Sequence, residues 1–298
     1  MLTAIIPTRN RPFELLNAIR SLCIQSRLPD ELIVIDQSID NKSGSAIANL
    51  MRKFKQIKLL YVYDPKILGL VDAKRISLGY ASGDIICFLE DDIVLETDYI
   101  QQIELGFKKN ANMLGCCGII TNPPAQNFLY RAMFTIFHRG IFKDKRIEVH
   151  GNFRGHNNYL IESNALSGGI SAWRREVFDS VKFDVMNDFH MFEDIDFSTR
   201  VAQHYGKRLF INPNARLAHY YSPINRDALY IRQRRKMREF FTYYKKRKDW
   251  PNAMISFFWL ILGMIIVSIF ESFLSMSFRP IQYFLLGLRD GFEKKIIS

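Results

Sequence analysis

The 298 residues include 48% hydrophobic side chains, enough to bury a full core, which excludes a disordered chain. The formal charge is +11, yet ten Lys or Arg against two acids between residues 226 and 248 supply +8 of it and leave +3 for the rest. A nearly neutral body with one basic segment argues against nucleic acid as the partner.

Short apolar runs alternate with helix-period segments over the first 120 residues, the pattern of an α/β fold with a mostly parallel sheet. The spacing predicts strands at 2–6, 31–35, 58–63, 84–89 and 114–120, and helices at 12–23, 46–54, 70–81 and 98–109. Pro12 suits a first helical turn, with Asn10 as its expected cap. Cys23, Cys87, Cys116 and Cys117 fall inside apolar runs without CxxC spacing, as buried thiols of a reducing compartment do. Residues 1–20 show no basic start followed by an apolar stretch, so the amino-terminal part is expected on the cytoplasmic side. Periodicity fades over 121–160, which reads as a working loop. Order resumes with a strand at 170–173, a helix opening near Glu193, and two short strands at 208–211 and 216–219.

Past Pro223 the pattern becomes basic and aromatic, and residues 253–270 carry no charge. That run is about 27 Å long as a helix, enough to reach across a bilayer, and the preceding cations mark its near end as cytoplasmic. A second apolar patch at 281–288 leaves a crossing helix and an in-plane hairpin both open. The expected organisation is a catalytic α/β domain over 1–222, a basic juxtamembrane segment over 223–252 and a membrane-attachment segment over 253–298.

Several segments carry chemistry. The run from Pro7 through Thr8 and Arg9 to Pro12 ends a strand and starts a helix, where α/β sheets place ligands, and Asp36 stands at the end of the next strand. Gly69 leads a helix bearing Lys74 and Arg75, cations suited to phosphate oxygens. Glu90, Asp91 and Asp92 follow a buried strand without interruption, and three adjacent carboxylates repel unless a divalent cation joins them. Oxygen ligands suit Mg²⁺ or Mn²⁺. Glu193, Asp194 and Asp196 open a helix, where a carboxylate can act as general base, and His219 ends a strand-like run and could complete a metal shell.

Taken in order, the Pro-Thr-Arg-Asn-Arg-Pro run, Asp36, Gly69 with Ala73-Lys74-Arg75, Phe-Leu-Glu-Asp-Asp, Ser167-Gly168-Gly169 and Phe-Glu-Asp-Ile-Asp resemble family 2 glycosyltransferases of the GT-A fold over about residues 1–222. The resemblance implies an inverting hexosyl or deoxyhexosyl transfer from a nucleotide diphosphate sugar. Pro7, Thr8, Arg9, Asp36, Arg75 and Asp91 would contact the donor, and Asp92 and His219 would hold Mn²⁺ or Mg²⁺. Asp194 would be the base, Gly168, Gly169, Trp173 and Glu193 would face the acceptor, and residues 121–160 would cover it. Glu90 departs from the family's usual Asp, and Gln233-Arg234-Arg235-Lys236-Met237 departs from the Gln-x-x-Arg-Trp signature of polymer-extruding relatives. A single sugar passed to a lipid-linked or surface glycan acceptor at the cytoplasmic membrane face is therefore expected, with membrane lipids as a further partner. A nucleotidyltransferase would want a Gly-rich phosphate loop, which residues 7–12 lack, and a non-catalytic sugar or nucleotide binder is the other alternative.

Overall fold

The computed structural model describes residues 1–125, 128–146, 149, 159–225 and 227–296, and the chain divides into two compact units. The first comprises residues 1–123, 145–185 and 193–225; the second comprises 124–144, 186–192 and 226–298.

Unit 1 is built on a mixed sheet of strands β1 (Leu2–Thr8), β2 (Glu31–Asp36), β3 (Lys58–Tyr63), β4 (Ile85–Leu89), β5 (Ile93–Leu95), β6 (Gly115–Ile120), β7 (Ile161–Ser163), β8 (Ile170–Arg174) and β9 (Leu209–His219). Their order is β3-β2-β1-β4-β8-β6-β9-β5, with β7 pairing β9 off that path. The β3-β2-β1-β4 half is parallel, and its strands β1 and β2 are buried at every residue, as unbroken apolar runs covered on both faces require. The other half begins where β8 runs antiparallel to both β4 and β6. The GT-A α/β class expected from the sequence is the one observed.

Helices α1 (Pro12–Cys23), α2 (Lys42–Met51), α3 (Leu70–Ser77), α4 (Tyr99–Lys109), the short α6 (Val177–Ser180) and α7 (Glu193–Tyr205) belong to this unit, and α5 (Phe128–Phe137) to the other. α1 buries Leu15, Ala18, Ile19, Leu22 and Cys23, one stripe at helical spacing. Truncating Ile19, which is fully buried, to Ala would cost about 2–5 kcal/mol in transfer and cavity energy. All four cysteines are buried and free, and burial pushes the Cys87 thiol up to about 12.

Several expectations are corrected. Asn10 does not cap α1: its φ is +56°, Arg11 occupies the cap position, and the Asn10 side chain instead accepts a bond from the Ile39 N–H at 2.9 Å. α2 begins at Lys42, four residues before the expected start, and α3 stops at Ser77 rather than 81. The two strands expected at 208–211 and 216–219 are one strand, β9, because a register shift opposite Gly118 absorbs the irregularity around Pro213 without ending the pairing. Part of the stretch read as a loop is helical, in α5 and in a 3₁₀ turn at Gly140–Phe142. Residues 126–127, 147–148 and 150–158 of the expected acceptor cover lie outside the described residues.

Unit 2 holds α5, the 3₁₀ turn, α8 (Leu229–Lys245), α9 (Ala253–Leu274) and α10 (Arg279–Glu293). Phe240 is the hub of its core, meeting the rings of His138, Phe142 and Phe192 with centroids 5.7, 5.5 and 4.6 Å away. Glu239 beside it is buried, and its Oε2 accepts bonds from the N–H groups of Met191 and Phe192 at 2.8 and 3.0 Å, which offset part of its desolvation; burial still raises it above the usual carboxylate range. Small residues bring α10 close to α8, since a Cβ at Gly287 would lie 2.5 Å from the Arg234 carbonyl.

Candidate active site

Sheet register assembles the site. β4 ends at Leu89, paired with Ile170, so Glu90 is the first residue beyond it, and its N–H donates to the Gly169 carbonyl at 2.8 Å. Three residues on, β5 pairs Ile93 with His219, and the Tyr220 N–H donates to the Asp92 carbonyl at 2.8 Å. A residue 127 positions later in the chain is thereby set beside Asp92.

The three adjacent acids point in two directions. Asp91 turns toward β1 and accepts from Thr8 Oγ1 at 2.7 Å and from Arg11 Nη1 at 2.9 Å. Burial pushes Asp91 up to about 6 even though Arg11 and Thr8 oppose it. Asp92 and Glu90 turn toward His219, whose Nε2 lies 3.0 Å from Asp92 Oδ1 and 2.9 Å from Glu90 Oε2. Burial would raise Asp92, but His219, the Ser222 N–H and Arg11 outweigh it and hold Asp92 below the usual carboxylate range. Burial would likewise lower His219, yet the same two carboxylates push it up to about 9.

The distances and angles at His219 do not tell the same story. Nε2 is close to both carboxylates but aligned for a proper N–H···O bond with neither, and it ranks among the buried polar atoms without a hydrogen-bond partner. A nitrogen facing two carboxylate oxygens across a shared point, with all three ligand atoms within 4.8 Å of one another, fits a divalent cation. Two carboxylates and one imidazole are a hard-to-borderline donor set of the kind that can hold a divalent metal ion. Glu90 joins this set although it departs by one methylene from the family's usual Asp, and the resemblance named only Asp92 and His219 as ligands.

The start of α7 meets the same place through the Gly168-Gly169 turn. A Cβ at Gly169 would lie 2.2 Å from Glu90 Cγ, and one at Gly168 would lie 2.3 Å from Glu193 Oε1 and 2.9 Å from Asp194 Cβ. Only glycines fit between the two acidic clusters. Asp194 Oδ2 accepts from the Gly168 N–H at 3.2 Å and from Arg146 Nη1 at 2.5 Å, and Arg146 also donates to the Leu166 carbonyl at 3.1 Å. Glu193 pairs with Lys74, whose Nζ lies 2.6 Å from Oε1 and donates to the Gly168 carbonyl at 2.9 Å. Burial raises Glu193 above the usual range despite that partner. Acids in the first turn also gain from the helix dipole.

The remaining expected residues are placed as follows. Pro7 is buried in β1 and Arg9 is exposed just after it, its carbonyl accepting from Asn225 Nδ2 at 2.5 Å. Asp36 is buried at the end of β2, accepting from the Ser38 N–H at 2.9 Å and the Tyr61 hydroxyl at 2.7 Å. Gly69 has φ +87°, the left-handed backbone that glycine adopts freely, and opens α3. Two placements differ from expectation. Arg75 is half exposed and bound to Asp72 one turn away, so the cation that α3 sends inward is Lys74. Trp173 is a core side chain 3% exposed, edge-on to Phe197 at 4.9 Å and bonded to Ser171 Oγ, because every β8 residue from Ile170 to Trp173 is buried.

Sequence reasoning offered Lys74 only as a phosphate-facing cation, not as the partner of Glu193, and assigned no role to Arg11 or Arg146. The first had a signal: Leu70, Ala73, Lys74 and Ser77 follow the i, i+3, i+4, i+7 spacing of one helix face, and Arg75 lies off it. A cavity of about 790 Å³ reaches Asp92 past Phe13, Asn17, Tyr220 and Ser222, and another of about 270 Å³ lies wholly within unit 2.

Comparison with known proteins follows the same lines. Residues 3–182 match the family model described as glycosyl transferase family 2. A glycosyltransferase of Haemophilus influenzae is 33% identical over 102 residues, 34% of this chain and 40% of that protein's length. The mannosyltransferase PcManGT from Pyrobaculum calidifontis, solved in complex with GDP-Man and Mn²⁺, superposes with a TM-score of 0.62 at 12% identity, covering 99% of this chain and 88% of its own. GalNAc-T7, solved with UDP, GalNAc and Mn²⁺, gives 0.60 at 16% identity, covering 82% of this chain and 47% of its own. At these identities the likeness to both solved structures is one of fold.

Proposed function

The chain belongs to glycosyl transferase family 2, and from that premise we propose that it is an inverting, metal-dependent glycosyltransferase that moves one sugar from a nucleotide diphosphate donor to a lipid-linked or surface glycan acceptor. The observation that carries this reading is the Gly168-Gly169 turn, which seats a Glu90-Asp92-His219 ligand set against an Asp194 carboxylate. A divalent cation held by those three residues would neutralise charge on the departing diphosphate.

The protein's own residues do the rest. Asp194, oriented by Arg146 and the Gly168 N–H, takes the proton of the acceptor hydroxyl as its oxygen attacks the anomeric carbon. The bond from that carbon to the phosphate oxygen breaks, the nucleoside diphosphate leaves, and the new glycosidic bond has the opposite configuration. Pro7, Thr8, Arg9 and Asp36 stand at the carboxyl ends of β1 and β2, where parallel sheets receive nucleotides. Lys74 holds Glu193 on the acceptor side without facing solvent. The apolar run of α9 and the cations of α8 support attachment to the cytoplasmic membrane face, and the PcManGT and GalNAc-T7 complexes support the donor class.

The test is a thermal-shift screen of nucleotide sugars with and without Mn²⁺, followed by product analysis. A donor that raises the melting temperature only with metal, then yields nucleoside diphosphate, fits the proposal. Formation of nucleoside triphosphate and sugar 1-phosphate when pyrophosphate is added would make the protein a nucleotidyltransferase, and binding without any turnover would make it a sugar-nucleotide binder.

A further inference from the structure

We infer that α9 does not cross the bilayer but lies in the plane of an anionic leaflet, with one apolar stripe in the acyl region and the cations of α8 at the headgroups. This deepens the membrane-attachment part of the reading above and owes nothing to the catalytic part.

Length alone allows a crossing, since the 22 residues of α9 extend about 33 Å against a hydrocarbon core of about 30 Å. Two contacts within unit 2 argue otherwise. Near the start of α9, Phe257 stacks on Tyr244 with ring centroids 4.2 Å apart; near its end, Glu271 accepts a hydrogen bond from the Gln233 amide. Tyr244 lies at the end of α8 and Gln233 near its beginning, so the two helices run antiparallel and meet at points about 16 Å apart along α8. α10 then returns along α8, with Arg234 forked onto Asp290 at 2.5 and 2.9 Å and Gly291 set against Phe241.

A crossing α9 would therefore draw its neighbour into the hydrocarbon. That neighbour carries Arg232, Arg234, Arg235, Lys236 and Arg238 on consecutive turns, and charges at that depth are costly and rare. Meanwhile the face of α9 turned from α8 is apolar and open. Ile255 is 66% exposed, Phe258 63%, Ile269 55% and Phe273 80%, a stripe at helical spacing that continues into Phe278 at 85%. An apolar stripe beside a basic helix is the arrangement of interfacial anchors. The six cations of α8 against its single acid, with Lys246 and Lys248 beyond, select an anionic surface.

Single cysteines decide the topology, because the four natural cysteines are buried. Asp249→Cys and Arg279→Cys, at opposite ends of α9, would be expressed in bacteria and probed with a membrane-impermeant maleimide in inside-out and right-side-out vesicles. The proposal expects both sites to label in inside-out vesicles and neither in right-side-out ones. Labelling of residue 279 only from the right-side-out face would establish a crossing helix and overturn it. With purified protein, binding to phosphatidylcholine vesicles should rise at least tenfold when phosphatidylglycerol is added. The combined variant I255E/F258E/I269E should lose at least tenfold in vesicle binding while releasing nucleoside diphosphate from donor at the parental rate. A variant that changes only from dimer to monomer, with vesicle binding intact, would assign the stripe to self-association and overturn the proposal. Absence of donor turnover together with the expected labelling would count against the catalytic reading and leave this one standing.

Discussion

The segment after β4 and the first turn of α7 each crowd three carboxylates into four residues or fewer, yet they solve that crowding in opposite ways. At α7 every acid has its own cation: Glu193 has Lys74, Asp194 has Arg146, and Asp196 has Arg200 at 2.8 Å. After β4, three carboxylates share Arg11 and the His219 ring, which leaves a net −2, or −1 with the imidazole protonated. Similar composition at two strand and helix ends thus produces a balanced cluster and a deficient one. The deficient cluster is the one that calls for an added cation, and the balanced one can hold a carboxylate ready for proton transfer without help.

Asp194→Asn is the sharpest probe of the balanced cluster. Transfer should fall by about 10²–10⁴-fold, as for loss of a general base, while the donor-dependent rise in melting temperature survives. Normal turnover by this variant would dissolve the distinction between the clusters. Next comes Lys74→Met, which strands Glu193 in a buried position and should cost about 3–5 kcal/mol by chemical denaturation. The pair K74M/E193L should regain most of that, and a double variant as unstable as the single one would show that the ion pair is not what Lys74 contributes.

In the deficient cluster, His219→Ala or Asp92→Asn should weaken Mn²⁺ affinity at least about tenfold, measured by metal titration of the donor-induced thermal shift. Chelation of the parent protein should mimic them; a shift indifferent to both would leave the cluster without a metal role. Arg200→Gln should cost about 1–2 kcal/mol, since Asp196 is buried but Arg200 is partly in water and its pairing is screened. Arg75→Gln should change stability by no more than about 0.5 kcal/mol and transfer by less than about threefold, because Asp72 holds Arg75 at the surface. A large transfer defect there would mean that Arg75 swings inward when donor binds.

How far the sequence reaches differs between these regions. The parallel half of the sheet was readable from apolar runs, and strand β3 and helix α1 begin and end where spacing predicts. Asp92 and His219 could each be named, but their meeting depends on Ile93 pairing with His219, and register between distant strands leaves no mark in either segment. β5 escaped notice because three residues are too few to show alternation. Lys74 was legible in the inner face of α3, whereas Arg146 sits in a stretch without periodicity and only the fold shows which acid it meets. Asn10 failed as a cap because the loop just after β2 engages it: the Ile39 N–H donates to its side chain, and its own N–H donates to Ser38 Oγ.

The two glycines between the clusters act as a shim. A methyl at residue 169 would press on Glu90 and one at residue 168 on Glu193 and Asp194, so each glycine holds open one side of the gap. Redesign of sugar preference that leaves this spacer untouched keeps the reaction geometry constant while the walls around it are varied.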